Sequence, residues 1–197
     1  MNRTLSRTLA FLMVVLCLAP VLHASGSQNN VYSLPVLSEL GKVQTAEQMD
    51  VFTGPDYTYY RSASGKARID AYQSVPVYGK EGSFLLVSYA IAEGSRAGNR
   101  RFGFIYNPNS NVPLLDLAFV SISIDSSARI IDEPNIERTG FNTITNLDRE
   151  NAYALARIVD SSGRLWIYIE TNGLDTTDNY ITKSVRGFVL ASQVNFD

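Results

Sequence analysis

Residues 83–91 of this chain read SFLLVSYAI and residues 101–106 read RFGFIY, with the turn-forming run EGSRAGN at 93–99 between them. Both apolar segments are rich in aromatic and β-branched residues, which favour strands, and the glycines and asparagine between them favour a turn. From Val43 onward, turn clusters recur every ten to fifteen residues, and no stretch keeps an apolar period of 3.6 over three helical turns. The sequence therefore predicts an all-β fold.

The predicted strands fall into two blocks of similar design, a first block at 43–107 and a second at 116–197. The linker between them is placed at 108–115, because the run NPNSNVP at 107–113 combines two prolines with three asparagines. Strands are predicted at 66–72, 74–79, 83–91 and 101–106 in the first block, and at 117–124, 128–132, 151–160, 164–171 and 185–191 in the second.

Three landmarks of the first block return in the second, at offsets of 79, 82 and 84 residues. The corresponding landmarks are Gly54-Pro55 and Glu133-Pro134, Phe84 and Trp166, and Gly103-Phe104-Ile105 and Gly187-Phe188-Val189. Such steady spacing indicates a duplicated unit. At roughly 65 to 80 residues, each unit has the size of a small barrel of about five strands. We expect Phe84 and Trp166 to lie in the core.

The order of these motifs resembles that of bacterial SH3 domains, small barrels found in exported proteins of Gram-positive, Clostridia-like bacteria. The motifs that carry the resemblance are TGP at 53–55, GKA at 65–67, VYGKEG at 77–82 and RFGFI at 101–105, with WIYIET at 166–171 and VRGFV at 185–189 in the second block. The resemblance implies two tandem small SH3-like β-barrels, the second of them divergent. Two departures are Phe84, where the family usually has tryptophan, and a longer loop at 172–184.

The resemblance also implies a binding module and not a catalyst, because such domains attach hydrolases to peptidoglycan or recognise peptides. We therefore expect an exported, non-catalytic protein that recognises cell-wall peptidoglycan or peptides. One alternative is an adaptor or regulatory protein that binds another exported protein. A minor alternative is a carboxylate-dependent glycosidase.

The first 24 residues have the pattern of a secretory signal peptide. Arg3 and Arg7 provide a positive start, the run at 9–22 is apolar, and small residues follow at 24–26. We expect cleavage after Ala24 or Gly26, which leaves a polar lead-in or arm at 25–42 and sends the protein to the extracellular space or the cell envelope. An uncleaved anchor is the alternative, but bilayers need roughly 20 apolar residues, so no stable membrane span is expected.

Cleavage also removes the only cysteine, Cys17, and the only histidine, His23. Thiol- and imidazole-assisted catalysis, disulfides and most zinc sites depend on these residue types. We therefore expect no enzyme activity, no metal site and no cofactor. Paired carboxylates remain the alternative for glycosidase chemistry, with the candidates Asp132, Glu133, Asp175 and Asp178. A calcium loop at 172–179 is a weaker alternative, because its oxygen ligands lack the spacing of an EF-hand.

The charge balance excludes nucleic acid as an expected partner. The chain has 17 basic and 19 acidic residues, a net charge of −2. Without Arg3 and Arg7 the balance is 15 against 19, a net charge of −4. Phosphate backbones are bound through lysine and arginine, so a net negative protein is a poor candidate for them.

The candidate ligand-binding residues are mostly tyrosines of the first block. A loop tyrosine offers an apolar face and a hydroxyl at a low entropic cost, which suits peptide or glycan binding. The predicted site residues are Tyr57, Tyr59, Tyr60, Arg61, Tyr78, Tyr89 and Arg100. Tyr78 and Tyr89 would line the same face in a closed barrel, and Arg100 would attract an anionic partner. The alternative is that the loop tyrosines cap a small core and the arginine is an ordinary surface charge.

Overall fold

The computed structural model describes residues 30–61, 67–91, 97–137, 141 and 144–196. The expected signal peptide at 1–24 lies outside the described residues, as do residues 25–29 of the arm. The described helices are one turn, α1 (Asn30–Ser33), and a 3-10 turn (Ala191–Gln193). The regular structure is otherwise β-strand, which confirms the predicted all-β class.

The first block forms a four-stranded antiparallel sheet and a small two-stranded one. Its strands are β1 (Gly41–Gln44), β2 (Met49–Asp50), β3 (Arg68–Ile69), β4 (Ser74–Glu81), β5 (Phe84–Ala90) and β6 (Arg100–Tyr106). The larger sheet has the order β1-β4-β5-β6, and β2 pairs with β3. Strand β5 is buried from Phe84 through Tyr89, on both faces, which explains its nearly continuous apolar run.

The second block forms one sheet of six strands. They are β7 (Val120–Ile124), β8 (Ile144–Thr145), β9 (Ala152–Val159), β10 (Leu165–Asp175), β11 (Ile181–Leu190) and β12 (Val194–Phe196). The order is β11-β10-β9-β7-β12, and β8 pairs with the end of β10. The predicted loop at 172–184 is mostly the end of the β10–β11 hairpin. The predicted strand at 128–132 is absent, and only Ile131 forms an isolated bridge, to Phe188.

Neither sheet closes into a barrel in the part of the chain that the structure describes. Each block has a core cluster of its own, but a third cluster draws on both blocks. In this shared core, Phe84, Leu86 and Phe104 lie with Trp166 and Phe188. The expected burial of Phe84 and Trp166 is confirmed. The two sheets thus bury apolar side chains against each other.

The arm contacts both blocks. Leu34 lies in the core of the second block, whereas Leu37 lies in the shared core. The Leu37 N–H donates to the Arg157 carbonyl at 2.8 Å, and the Arg157 N–H donates to the Pro35 carbonyl at 2.8 Å. The chain then enters β1, which pairs with β4 of the first sheet. The described part of the arm is therefore a short helix followed by a docked extended segment.

The two blocks repeat one pattern of strand pairing. In each block an earlier strand pairs with the first strand of a three-stranded meander: β1 with β4–β5–β6, and β7 with β9–β10–β11. In each block a loop residue also bridges the last strand of the meander, Phe52 to Phe104 and Ile131 to Phe188. The bridges differ by 79 and 84 residues, as the landmarks of the sequence do. The pairing therefore follows the internal repeat.

A glycine stands beside each of these bridges because the crossing loop leaves no room for a side chain. A Cβ at Gly103 would lie 2.3 Å from Val51 Cγ1 and 3.0 Å from the Phe52 carbonyl oxygen. A Cβ at Gly187 would lie 2.7 Å from Ile130 Cγ2 and 2.7 Å from the Ile131 carbonyl oxygen. At Gly103 the closest clash is with the side chain of Val51, whereas at Gly187 the backbone carbonyl of Ile131 clashes as closely as the Ile130 side chain does.

This difference predicts that removing the neighbouring side chain will rescue an alanine at Gly103 better than an alanine at Gly187. Gly103→Ala and Gly187→Ala should each lower the free energy of unfolding by about 1–3 kcal/mol, the usual range for overpacking. Val51→Ala should relieve part of the cost of Gly103→Ala in a double-mutant cycle measured by urea unfolding. Ile130→Ala should relieve less of the cost of Gly187→Ala, because the Ile131 carbonyl remains. Alanine at Gly187 with wild-type stability would contradict this account.

Candidate functional site

The structure does not bring the predicted site residues together. Tyr57 packs against Phe84, at the start of β5, whereas Tyr89 lies near the end of the same strand. Five residues of extended strand separate Phe84 from Tyr89, about 17 Å at 3.3 Å per residue. The predicted residues therefore do not form a single surface.

The first region is an exposed pair of tyrosines, Tyr57 and Tyr106, which we call the aromatic surface. Their side chains are 59% and 43% exposed. The two ring centroids are 5.8 Å apart, with the rings tilted by 41°. Beneath them, Phe84 makes edge contacts at 5.2 Å to Tyr57 and 5.4 Å to Tyr106, and Phe52 contacts Tyr57 at 5.3 Å. Packing below thus orients two rings whose outer faces meet solvent.

A local turn holds the loop that carries Tyr57. The Thr58 N–H donates to Asp56 Oδ1 at 2.8 Å, and this hydrogen bond lowers the pKa of Asp56. The Tyr59 N–H donates to the Asp56 carbonyl at 3.3 Å. Aspartate favours such turns because its side chain accepts from the backbone two residues later.

Tyr59, the next tyrosine of the loop, contacts residues of the second block. Its hydroxyl donates to Glu170 Oε2 at 2.8 Å, and the guanidinium of Arg186 lies 5.6 Å from its ring centroid. Burial raises the pKa of Tyr59 to about 12, and the nearby Glu170 carboxylate acts in the same direction. The hydroxyl therefore remains a hydrogen-bond donor at neutral pH. Its role in the structure is to join the loop to β10.

Arg186, which the sequence analysis did not single out, is the centre of this junction. Its side chain is 2% exposed. It donates to Glu81 at 2.5 and 3.1 Å through its two terminal nitrogens, and to Glu170 at 2.5 Å through Nε. Burial alone would lower the pKa of Arg186, but the hydrogen bonds to Glu81 raise it above its usual range. A permanent buried cation thus ties β4 of the first sheet to β10 and β11 of the second.

Tyr60 and Arg61 complete the predicted loop. Tyr60 is 2% exposed and packs against Phe141 at 5.6 Å, so its ring belongs to the core. Arg61 forms an ion pair with Asp50, and its guanidinium lies 5.5 Å from the Phe52 ring centroid. Of the loop tyrosines, Tyr57 is the one whose ring is exposed.

The second region is a cleft of about 870 Å³ beside β4 and β5. Tyr78 is not among the described residues that line it: its ring packs against Phe102 at the shared core, whereas Tyr89 lies in the core of the first block, so the two tyrosines do not line one face. Tyr89 and Arg100 line the cleft. Arg100 Nη2 donates to Ser88 Oγ at 2.8 Å, and this hydroxyl lies 3.4 Å from the Tyr78 hydroxyl. We call this feature the cationic cleft, because Lys42 and Arg68 line it together with Arg100.

The carboxylates that were considered for glycosidase chemistry have local partners. Asp132 forms an ion pair with Arg101 at 2.7 Å, and Asp178 forms one with Lys183 at 3.0 Å. Asp175 is buried and accepts from the Thr177 N–H at 2.9 Å. These contacts stabilise turns and strand ends.

The described residues contain no group of three or more histidine, cysteine, aspartate or glutamate side chains placed to hold a metal ion. They also contain no helix with the length and apolar character needed to cross a bilayer.

Comparison of this chain with models of protein families, with curated proteins and with solved structures finds no match in any of the three. The chemistry of its surfaces is therefore inferred from their own residues.

Proposed function

We propose that this protein is an exported, non-catalytic binding protein that recognises cell-wall peptidoglycan through the aromatic surface. The observation that carries the proposal is the pair of exposed rings, Tyr57 and Tyr106, held from below by Phe52 and Phe84. Exposed tyrosines on a fixed support lose little conformational entropy when a ligand binds. Their faces suit the C–H face of a sugar ring, and their hydroxyls suit its polar edge.

The proposal includes two SH3-like units and export. The repeated strand pairing supports a duplicated unit, and the motifs around Gly54-Pro55 and Gly103 support the SH3-like assignment. In this proposal the units share a core and act as one body. Export rests on the sequence at 1–24, and N-terminal sequencing of protein from the culture medium would locate the cleavage at Ala24 or Gly26.

A pull-down on purified peptidoglycan tests the binding function. The mature protein is expected to sediment with the wall, and Tyr57→Ala combined with Tyr106→Ala is expected to weaken retention about tenfold, as for a lost aromatic anchor. Tyr57→Phe keeps the ring and should retain most binding. Tyr153→Ala removes an exposed tyrosine from the second block and serves as the matched control.

Two outcomes would count against the proposal. One is no retention of the wild type. The other is equal retention of the wild type and the double variant, provided that thermal unfolding shows both to be folded. Recovery of one specific exported protein in place of wall retention would favour the adaptor alternative.

A further inference from the structure

The cationic cleft is a second candidate site, distinct from the aromatic surface. Its three cations come from three strands: Lys42 from β1, Arg68 from β3 and Arg100 from β6. None of them forms an ion pair with another described residue. Among the described residues of the lining, Asp70 is the one acid, so their net charge is +2. The cleft thus concentrates positive charge on a protein that is negative as a whole.

Neutral oxygens hold both arginines in place without cancelling their charge. Arg100 Nη2 donates to Ser88 Oγ at 2.8 Å, and Arg68 Nη1 donates to Gln48 Oε1 at 3.1 Å. A guanidinium has five N–H donors, so each arginine keeps donors for a ligand. Preorganised arginines lose less entropy on binding and match the two oxygens of a carboxylate.

The turn beside the cleft is held by hydrogen bonds and carries an exposed aromatic side chain. Thr45 is buried, and its hydroxyl donates to the Asp70 carbonyl at 2.7 Å and accepts from the Gln73 N–H at 2.9 Å. The Tyr72 N–H donates to the Thr45 carbonyl at 2.7 Å. These bonds hold Tyr72 at a φ of 61°, in the left-handed region that bulky residues rarely occupy.

The ring of Tyr72 is 75% exposed, so packing gives no reason for a tyrosine at this strained position. Its neighbours along the turn, Asp70 and Gln73, both line the cleft. Strained backbone positions that persist in proteins cluster at functional sites. The exposed ring thus lies on the turn that supplies two residues of the cleft lining.

We propose that the cationic cleft binds a peptide that carries free carboxylates. The arginines supply the carboxylate contacts, and Asp70 suits an ammonium or amide N–H of the peptide. A polyphosphate would meet repulsion at Asp70. Pro76, which is half-buried, adds apolar surface for an aliphatic side chain. This inference does not depend on wall binding by the aromatic surface.

Titration of the mature protein with a fluorescent glutamate-rich peptide tests the proposal. The control peptide has glutamine in place of glutamate and an amidated C-terminus. The acidic peptide is expected to bind with an affinity that falls with salt, and the neutral peptide at least tenfold more weakly. Arg68→Ala combined with Arg100→Ala should weaken acidic-peptide binding at least tenfold. Arg129→Ala, which removes an exposed arginine of the second block, should leave it unchanged.

The variant Tyr72→Gly distinguishes a loss of peptide binding from a loss of stability. Glycine adopts the left-handed conformation freely, so the melting temperature should stay the same or rise. Binding of the acidic peptide should nevertheless weaken, because the exposed ring is gone. A variant that binds as tightly as the wild type would remove Tyr72 from the proposed site.

The source of the peptide is resolved by competition. Soluble wall fragments with free stem-peptide carboxylates would displace the acidic probe if the wall supplies the ligand, whereas an unaffected probe points to an acidic segment of a protein. The Tyr57→Ala, Tyr106→Ala variant should still bind the probe, so failure of the aromatic surface is distinguishable from failure of the cleft. Equal binding of acidic and neutral peptides, or no binding up to about 1 mM, would overturn the proposal.

Discussion

Replacing Arg186 by alanine is expected to lower the free energy of unfolding by about 3–5 kcal/mol, the range measured when one partner of a buried ion pair is removed. Arg186 is 3% exposed, and its guanidinium donates to the carboxylates of Glu81 and Glu170 at 2.5 Å. Without it, two carboxylates face each other in a partly buried site, and no other cation among the described residues forms an ion pair with them. Urea unfolding followed by the fluorescence of Trp166, the only tryptophan of the chain, measures the loss.

Replacing the two carboxylates together with the arginine tests whether the unpaired charges cause the loss of stability. Arg186→Met combined with Glu81→Gln and Glu170→Gln leaves no unpaired charge, and should recover most of the stability lost in Arg186→Ala. Arg129→Ala, at an exposed position, should change the stability by no more than about 0.5 kcal/mol. If Arg186→Ala behaves like Arg129→Ala, the junction between the blocks is not a stabilising feature.

Neither block is expected to fold when it is produced alone. Fragment 25–107 would expose Phe84, Leu86 and Phe104, which the second block covers in the intact chain. Fragment 116–197 would lose the partners of the shared core and the Leu34 contact from the arm. Each fragment should therefore lack a cooperative thermal transition, because an isolated half leaves too much apolar surface in contact with water.

Complementation provides the control for this experiment. Fragments 25–110 and 111–197 together carry residues 25–197, and mixing them should restore a cooperative transition and the blue-shifted fluorescence of buried Trp166. A cooperative transition in either isolated block would instead support two independent barrels. A thermal melt of the isolated blocks thus distinguishes two independent barrels from two sheets that need their shared core to fold.

Local sequence was enough to place the central strands. The run predicted at 83–91 is β5 (Phe84–Ala90), and the run predicted at 101–106 is β6 (Arg100–Tyr106). Apolar composition and the breakers between the runs act over a few residues, so they can be read without knowing the partner strands. The same reasoning was wrong at 128–132, where the apolar residues Ile130 and Ile131 cross β11 at Gly187 without forming a strand.

The candidate site was harder to anticipate. Tyr57, Tyr59 and Tyr60 are close in sequence and equivalent in residue type, yet one is exposed, one is held by Glu170 and one is in the core. The left-handed conformation of Tyr72 could not be predicted from the sequence, because it depends on a hydrogen bond to Thr45, 27 positions earlier. Such distinctions arise from contacts between segments that are distant along the chain.

The amino-acid sequence by itself determined the all-β class and the positions of most long strands, since these follow from local propensities and periodicity. Only the tertiary structure decided that the two sheets share a core, that Arg186 joins Glu81 to Glu170, and which tyrosines face solvent. The physical reason is that burial and charge pairing depend on which surfaces meet. That choice is made by the packing of whole sheets, not by any one stretch of the chain.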